Sequence, residues 1–258
     1  MARKLISDPA WVKTPEQIEG IRRAGVLNTA LLDHVSTFVR SGVTTAQIDE
    51  VVYDFTVSHG GIPATLNYEG FPCSCCTSVN EVVCHGIPNE YERLRTGDII
   101  NIDVTTILDG FYADASRMFV VGGKTSKAKQ ALVDCAYECL QIGMRAAQPY
   151  GWVGDIGYAI ARHARGHGYG VVKDYTGHGV GLDIHEEPYI PHYGQKGTGY
   201  QLLPGMVFTI EPMINMGDWR VFVDSDDDWT VISWDEKPSA QWEHTFLMTE
   251  NGLEILSY

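Results

Sequence analysis

The chain has 258 residues, of which 44% are hydrophobic and 20% charged, and its formal net charge is −14. This is the composition of a globular protein, and its negative charge disfavours direct recognition of nucleic acid. No stretch approaches the roughly 20 apolar residues that span a bilayer. The charged and polar N-terminal segment lacks the apolar core of a signal peptide. We therefore expect a cytoplasmic protein that does not bind membranes.

Helices and strands alternate in the predicted order of elements. Thr14-Pro15-Glu16-Gln17 has the residues of a helix N-terminus and predicts a first helix that runs to about Arg40 and stops near Gly42. Residues 44–47 look like a second capping box, whose helix ends before residue 60. Two strands over 99–106 and 111–121 are predicted to be joined by a two-residue turn at Asp109-Gly110. Further helices are predicted over about 126–147 and 153–167, and further strands near 206–213, 229–233 and 243–249.

The order of motifs repeats once along the chain, at a longer period than in solenoid repeats. Each half has a His-Gly pair, a glycine followed by a strand that ends on an acid, and an acid-x-hydroxyl tripeptide. The repeated residues are His85, Asp103 and Asp114 in the first half, and His178, Glu211 and Glu243 in the second. We infer a single catalytic domain over residues 1–258, with pseudo-symmetric halves at about 10–123 and 124–257. Equivalent acids would converge on the axis between them.

Asp103 and Asp114 are predicted to share one face of the first strand pair. If Asp109-Gly110 forms the turn, Thr105 lies opposite Asp114, and strand side chains alternate with a period of two. The two acids are then diagonal neighbours, roughly 7–8 Å apart. Both lie in apolar strands, as does Glu211. An unpaired carboxylate is costly there and tends to be neutralised, and metal coordination removes that cost.

A solvated strand face or an ion pair would explain one such acid, but explains four at equivalent places less well. The chain has 19 lysines and arginines, and only Arg117 lies within three residues of any of the four. Four carboxylates and His178 form an oxygen-rich set whose charge balances two divalent cations, which favours Mn, Fe or Co over a thiolate-type zinc site. Two ions about 3.5–4 Å apart can share a hydroxide and polarise a carbonyl, which predicts hydrolysis of an amide or an ester.

Other candidate metal-binding residues are given structural roles. Four cysteines lie in one short segment: Cys73, Cys75, Cys76 and Cys84. They lack the paired Cys-x2-Cys spacing of structural zinc sites, which favours packing thiols. His163 and His167 lie four apart on a predicted helix, but Ala164 stands where the zinc-protease motif has glutamate, which favours surface residues. The acidic run at 224–228 lacks the glycine and distal glutamate of a calcium loop, which favours a solvated loop.

With these residues placed, the sequence resembles the type I methionine aminopeptidases of the pita-bread fold. The resemblance covers about residues 10–257 and rests on segments 67–72, 78–88, 101–104, 177–181, 185–188 and 209–213. It implies an α+β fold with two pseudo-symmetric halves around a curved antiparallel sheet and with helices outside. It implies a metal-dependent hydrolase that removes the initiator methionine from nascent proteins when the next residue is small.

The resemblance also implies roles for individual residues. The ligands of two divalent ions (Co, Mn, Fe or Zn) would be Asp103, Asp114, His178, Glu211 and Glu243. His85 would contact the substrate near the scissile nitrogen, and His185 would bind the charge that develops on the carbonyl oxygen. Glu211 would also carry a proton from the bridging water to the leaving amine.

The family's side-chain pocket maps onto aromatic residues and a thiol that suit a thioether. These residues are Tyr68, Phe71, Cys76 and Trp229. Thr65 and Ile184 stand where the best-known bacterial members have Cys and Phe, which implies a roomier pocket. Ala113 and Ala115 replace the usual Gly and Thr beside Asp114, so one hydroxyl partner for the metal ligands is missing.

Two alternatives stay open. A prolidase or Xaa-Pro aminopeptidase has the same fold, but usually carries a large N-terminal domain for which this chain has no room. A non-enzymatic binding module of this fold, or an acidic cation-binding scaffold, would have lost ligands, and all five are present. We expect nascent polypeptide N-termini as partners, which is compatible with docking on the ribosome, and we expect a monomer.

Overall fold

Residues 3–258 are described by the computed structural model, and within them there are four α-helices and seventeen strands. The helices are α1 (Pro15–Ser36), α2 (Thr45–Ser58), α3 (Lys127–Ala146) and α4 (Val153–Gly166). The strands of the first half are β1 (Lys4–Leu5), β2 (Ile62–Pro63), β3 (Cys76–Val79), β4 (Val82–Cys84), β5 (Ile99–Leu108) and β6 (Phe111–Val120). Those of the second half are β7 (Gly170–Val171), β8 (Gly177–Gly179), β9 (Glu186–Ile190), β10 (Gly199–Tyr200), β11 (Val207–Ile210), β12 (Met213–Asn215), β13 (Val221–Val223), β14 (Val231–Ser233), β15 (Ser239–Gln241), β16 (His244–Thr249) and β17 (Gly252–Ser257).

The predicted helix starts are confirmed. At α1 the Thr14 hydroxyl accepts the Gln17 N–H, and the Gln17 side chain accepts the Thr14 N–H. The same reciprocal pair occurs between Thr44 and Gln47 at α2. Such pairs satisfy N–H groups that the first turn of a helix leaves without partners.

The predicted end of α1 near Arg40 is wrong, because the helix ends at Ser36. The Ser36 and Thr37 hydroxyls donate to carbonyls one turn back. These local bonds satisfy carbonyls that would otherwise bond to the next helical turn, so the chain can leave the helix there.

The first strand pair has the predicted register. Asp109 and Gly110 have φ angles of 52° and 82°, which is a two-residue turn of the type that matches strand twist. Thr105 pairs with Asp114, and Asp103 pairs with Ser116. The two acids therefore project from the same face of β5 and β6, as predicted.

The predicted strand over 206–213 is wrong as a continuous element. β11 ends at Ile210 and β12 begins at Met213. Pro212 has no N–H for a strand ladder, and the Glu211 N–H donates to Nε2 of His192, at 3.1 Å. Glu211 therefore lies directly after the end of β11. The strand predicted over 229–233 is likewise shorter, and covers Val231–Ser233.

Among the backbone hydrogen bonds that join the halves, a reciprocal pair links β6 to the residue that precedes β16. The Ser116 N–H donates to the Glu243 carbonyl at 3.3 Å, and the Glu243 N–H donates to the Ser116 carbonyl at 3.1 Å. The Thr245 hydroxyl donates to the Asp114 carbonyl at 2.7 Å and accepts the Asp114 N–H at 3.2 Å. We call these contacts between β6 and the start of β16 the seam. They bring Asp114 of one half beside Glu243 of the other.

The helices cover the strands from outside. α1 and α2 pack on the sheet in which β5 pairs with β2, β3 and β6. α3 packs on β11, β12 and β15, and α4 packs on α3 and on β7, β9 and β10. β11 belongs to a five-stranded sheet of order β17-β16-β11-β8-β9. No helix within residues 3–258 has the length and apolar character needed to cross a membrane.

Candidate active site

A cavity of about 420 Å³ opens beside the seam. All of the side chains predicted to form the site line it. They are Thr65, Tyr68, Phe71, Cys76, His85, Asp103, Asp114, His178, Ile184, His185, Glu211, Trp229 and Glu243. The fold thus gathers residues from distant parts of the chain, in both halves, around one space.

The glycine that follows the histidine in each repeated His-Gly pair is required for steric reasons. A Cβ on Gly86 would overlap the carbonyl of Thr77, and one on Gly179 would overlap the carbonyl of Glu187. Only glycine permits these close backbone approaches. His85 has a φ of 56°, a left-handed conformation that costs on the order of 1–3 kcal/mol for such a residue. A surrounding structure that holds a histidine in this way favours a functional role.

Four acids line the cavity close together, and we call them its floor: Asp103, Asp114, Glu211 and Glu243. Asp114, Glu211 and Glu243 are 5%, 8% and 2% exposed, and Asp103 is half-buried. One ligand atom from each of Asp114, His178 and Glu243 falls within 4.8 Å of the others. His178 Nε2 lies 3.4 Å from Glu211 Oε1 and 3.8 Å from Asp114 Oδ2. This separation suits donors that converge on a cation.

Burial sets the protonation of this cluster. It raises the pKa of Asp103 to about 7 and that of Glu211 to about 8. Burial, and then repulsion from the neighbouring carboxylates, raises the pKa of Asp114 and Glu243 well above their ordinary value. Within residues 3–258, His178 is the only basic side chain at ion-pair distance from any of the four. The donor set therefore fits divalent cations, which would neutralise it.

His178 is oriented for coordination. Its Nδ1 lies 3.0 Å from the Gly179 carbonyl, to which it donates, so Nε2 presents a lone pair towards the acids. Burial lowers the pKa of His178 to about 3, which keeps the ring neutral. A neutral imidazole with Nε2 free is the form that binds metals.

Polar groups that sequence reasoning missed hold the ligands in place. Thr209 Oγ1 donates to Glu211 Oε1 at 2.8 Å, and Gln241 Nε2 donates to Glu211 Oε2 at 3.1 Å. Thr105 Oγ1 donates to Asp114 Oδ1 at 3.0 Å. Each of these residues lies two positions from an acid of the floor. That spacing places a strand residue on the same face, so the period of two was a signal that could have found them.

The substitutions beside Asp114 leave its hydrogen bonding satisfied. Ala113 and Ala115 are both fully buried. The hydroxyls of Thr105 and Thr245 contact the Asp114 carboxylate and backbone from the neighbouring strands. The missing hydroxyl at position 115 is therefore supplied from elsewhere. His192, which accepts the Glu211 N–H, was also missed, and nothing in its sequence context indicated it.

Aromatic rings form the walls and mouth of the cavity. The Tyr68 hydroxyl lies 3.0 Å from His185 Nδ1, and the rings of His178 and His185 are 4.5 Å apart. Phe71 packs edge-on against Trp229, with ring centroids 5.2 Å apart. Burial lowers the pKa of His85 to about 4 and lowers that of His185, so both rings are neutral at physiological pH.

The other sequence candidates lie outside the floor. Cys73, Cys75, Cys76 and Cys84 are free thiols, and within residues 3–258 they join no cluster of metal-ligating groups. The acidic run at 224–228 forms a turn between β13 and β14. There Asp227 accepts the N–H groups of Trp229 and Thr230, both at 2.8 Å, which positions Trp229 at the cavity wall.

Comparison with known proteins identifies the family. The model of metallopeptidase family M24 matches residues 19–250. The chain belongs to metallopeptidase family M24. As members of a metallopeptidase family do, it uses divalent metal, in agreement with the buried acid cluster.

M24 relatives resemble the chain over its whole length. "Methionine aminopeptidase A" of Synechocystis sp. is 49% identical over 98% of this chain and 99% of its own. The crystal structure of methionine aminopeptidase from Rickettsia prowazekii has 46% identity and a TM-score of 0.93, and the match covers 96% of this chain and 99% of that one.

The fold extends to more distant M24 proteins. A prolidase from Pyrococcus furiosus has a TM-score of 0.76 at 24% identity, and the match covers 96% of this chain but 65% of that one. This likeness shows the fold alone, and confirms the predicted pita-bread architecture with antiparallel sheets and outer helices.

Proposed function

We infer that this chain is a methionine aminopeptidase that removes the initiator methionine from nascent proteins and peptides when the next residue is small. The observation that carries this function is the match of nearly the whole chain, at 49% identity, to a relative with that name. A cavity floored by buried acids and walled by aromatic rings supports it. Relatives at this identity make a prolidase-type activity the weaker assignment, and the intact acid cluster disfavours a non-enzymatic module.

We propose that two divalent ions are held by Asp103, Asp114, His178, Glu211 and Glu243. When bound, the ions would supply Lewis-acid polarisation of the scissile carbonyl and an activated water. Oxygen donors outnumber nitrogen by four residues to one, which favours Mn, Fe or Co ahead of Zn. The free α-amine of the substrate is expected to bind at the same floor, which limits cleavage to chain ends.

The chain's own residues supply the proton transfer and the electrostatics. Glu211 lies at the floor of the cavity, where as a carboxylate it is suited to accept a proton from water and pass it to the leaving amine. His185 lies at the mouth of the cavity, where its ring can donate to the carbonyl oxygen as charge develops. His85 faces the side of the scissile nitrogen.

The walls suit a methionine side chain. Tyr68, Phe71 and Trp229 present aromatic surface, and Cys76 adds a sulfur at the base. Thioethers pack favourably against aromatic rings and sulfur. Thr65 and Ile184 complete the wall and leave it wider than an aromatic residue at 184 would.

We propose that residues 1–258 act as one catalytic domain, because each half supplies metal ligands. Nascent polypeptide N-termini are the proposed partners. The relatives' activity on initiator methionine is compatible with work at the ribosome in the cytoplasm. The proposed enzyme is a monomer.

One experiment tests the reaction. The protein is purified without chelator, its bound metal is measured, and Met-Ala-Ser, Leu-Ala-Ser and Ala-Pro peptides are assayed with Mn, Fe, Co and Zn. We expect preferred cleavage after methionine, with Mn, Fe or Co more effective than Zn. Equal cleavage of the methionine and leucine peptides would contradict the initiator-methionine assignment, and preferred cleavage before proline would favour the Xaa-Pro alternative.

The role of Glu211 is tested separately with Glu211→Gln. This change keeps the shape of the side chain but removes its ability to accept a proton. We expect kcat to fall by about 10² to 10⁴-fold. Full activity with two metals bound would show that the proton passes elsewhere.

A further inference from the structure

A second group of metal-ligating side chains lies on α3 and α4, on the outer face of the second half. Cys135 and Cys139 project from α3, and His163 projects from α4. One ligand atom from each of these three falls within 4.8 Å of the others. A ligand atom from His167, at the end of α4, lies within the same distance of one from His163. This cluster is distinct from the floor of the active site, and its residues are absent from the cavity lining.

The spacing of the cluster follows from helix geometry. Residues four apart lie on the same face of a helix, so Cys135 with Cys139, and His163 with His167, form two matched pairs. α3 and α4 pack against each other around one hydrophobic core. The packed helices thereby bring the thiol pair beside His163. His167 lies next to His163, one turn further along at the end of α4.

We propose that Cys135, Cys139, His163 and His167 bind one zinc ion that clamps α3 to α4. Two thiolates and two neutral imidazoles form the commonest type of structural zinc site, and their charge balances one divalent cation. Zinc–sulfur bonds are about 2.3 Å long and zinc–nitrogen bonds about 2.0–2.1 Å. To bind one ion, ligand atoms that are now up to 4.8 Å apart would have to approach one another by roughly an ångström. A soft thiolate pair selects zinc over the ions expected at the oxygen-rich floor.

The histidines are already held for coordination by their second nitrogens. His167 Nδ1 lies 3.0 Å from the His163 carbonyl, which leaves Nε2 free. His163 Nε2 lies 2.8 Å from Glu138 Oε2, which leaves Nδ1 free. A carboxylate or carbonyl that fixes one ring nitrogen of a metal-bound histidine is the usual support of a zinc site. The two rings lie 4.5 Å apart.

Both thiols of the cluster are buried, and a zinc ion would reach them past the histidines. Cys135 and Cys139 are 3% and 0% exposed, whereas the two histidines lie at the surface. Zinc would enter from the histidine side, and both thiol protons would pass to solvent as the sulfurs bind.

Cobalt is the probe that separates this site from the active-site floor. Co²⁺ bound by thiolates gives a charge-transfer absorption in the near ultraviolet, which oxygen and imidazole ligands do not give. We expect this band in the reduced wild-type protein and its loss in the C135S/C139S double variant. Equilibrium dialysis should show one more zinc per chain in the wild type than in the double variant, with the cleavage of Met-Ala-Ser unchanged. The control Cys73→Ser, a thiol outside the cluster, should keep both the band and the extra zinc.

A surface variant provides a second test in case the double variant fails to fold. His163→Ala should weaken zinc binding at this site by more than about tenfold, the lower range for loss of even an outer contact. His59→Ala is the control, since His59 is a surface histidine outside the cluster, at the end of α2, with Nδ1 2.7 Å from the Phe55 carbonyl. Equal zinc content in the wild type and the double variant, or a thiolate band that survives the loss of both cysteines, would overturn the proposal.

Discussion

The floor and the walls of the cavity are built in different ways. Asp103 and Asp114 lie within the β5–β6 ladder, and Glu243 is fixed by the backbone bonds of the seam. The walls come from connecting segments, where residues such as Asn67 and Glu69 have left-handed backbone conformations. Strand pairing fixes Asp103 and Asp114 and the seam fixes Glu243, whereas a connecting segment tolerates changes one residue at a time. We therefore expect floor substitutions to abolish activity and wall substitutions to shift selectivity.

The largest expected effect comes from Glu243→Gln. This change removes one negative charge from a site that depends on cation binding. We expect bound metal to fall and kcat/KM for Met-Ala-Ser to drop by at least about 1000-fold, the upper range for loss of a single electrostatic contact. Metal analysis and steady-state kinetics measure both. The exposed Glu90→Gln variant is the control for charge, and retained metal with retained activity in Glu243→Gln would remove this residue from the floor.

The second prediction concerns pH. Because burial raises the pKa of Asp103 to about 7 and that of Glu211 to about 8, both carboxyls hold protons in the metal-free fold below these values. A cation must displace those protons, and each displaced proton lowers the apparent affinity about tenfold per pH unit. We expect Mn²⁺ binding to weaken by roughly 100-fold from pH 7 to pH 6.

The same pKa shifts determine the direction in which the stability of the metal-free protein changes with pH. An acid whose pKa is higher in the folded state binds more protons than in the unfolded state, so the stability of the metal-free protein falls as pH rises from about 4 to about 8. Calorimetric titration and thermal melts measure the two effects. An Mn²⁺ affinity that is flat from pH 6 to pH 8 would show that the floor is already ionised without metal.

A smaller effect is expected for Thr209→Val. The change keeps the shape of the side chain but removes the hydroxyl that donates to Glu211 Oε1 and accepts the His178 N–H. Loss of such a support typically weakens metal binding by about 10–100-fold. Equilibrium dialysis provides the measurement. Thr56→Val, which removes a buried hydroxyl in α2, is the matched control, and equal metal affinities in the two variants would mean that the Thr209 hydroxyl does not position the floor.

The smallest effect is expected at the wall. Ile184→Phe narrows the cavity, and we expect the ratio of kcat/KM for Met-Ala-Ser over Leu-Ala-Ser to rise by about tenfold, the scale for small changes in an apolar pocket. Metal content should not change. The exposed Ile255→Phe variant is the control. A variant that loses metal together with selectivity would show that walls and floor are not independent.

The sequence predicts the floor well because strands have a simple period. The two-residue turn at Asp109-Gly110 sets the register of β5 and β6, and the register places Asp103 and Asp114 on one face. The repeat then indicates where the second half contributes its acids. These inferences need only local geometry and the order of motifs, so they hold before the tertiary structure is known.

The sequence predicts less about features that depend on tertiary contacts. The end of α1 depends on the Ser36 and Thr37 hydroxyls, and the break between β11 and β12 depends on His192, which arrives from a distant segment. His163 and His167 were interpreted as surface residues because their helix alone lacks a zinc motif. Their relation to Cys135 and Cys139 exists only after α3 and α4 pack.

The seam has a consequence for how the protein matures. Ser116 and Glu243 are far apart in the chain, so their mutual hydrogen bonds form only after residue 243 has been synthesised. Contacts of such long sequence separation form late, since a long loop must close first. The metal centre proposed here would therefore be assembled in one late step. An unfinished chain that ends before Glu243 lacks this ligand, and would be unable to trap metal prematurely.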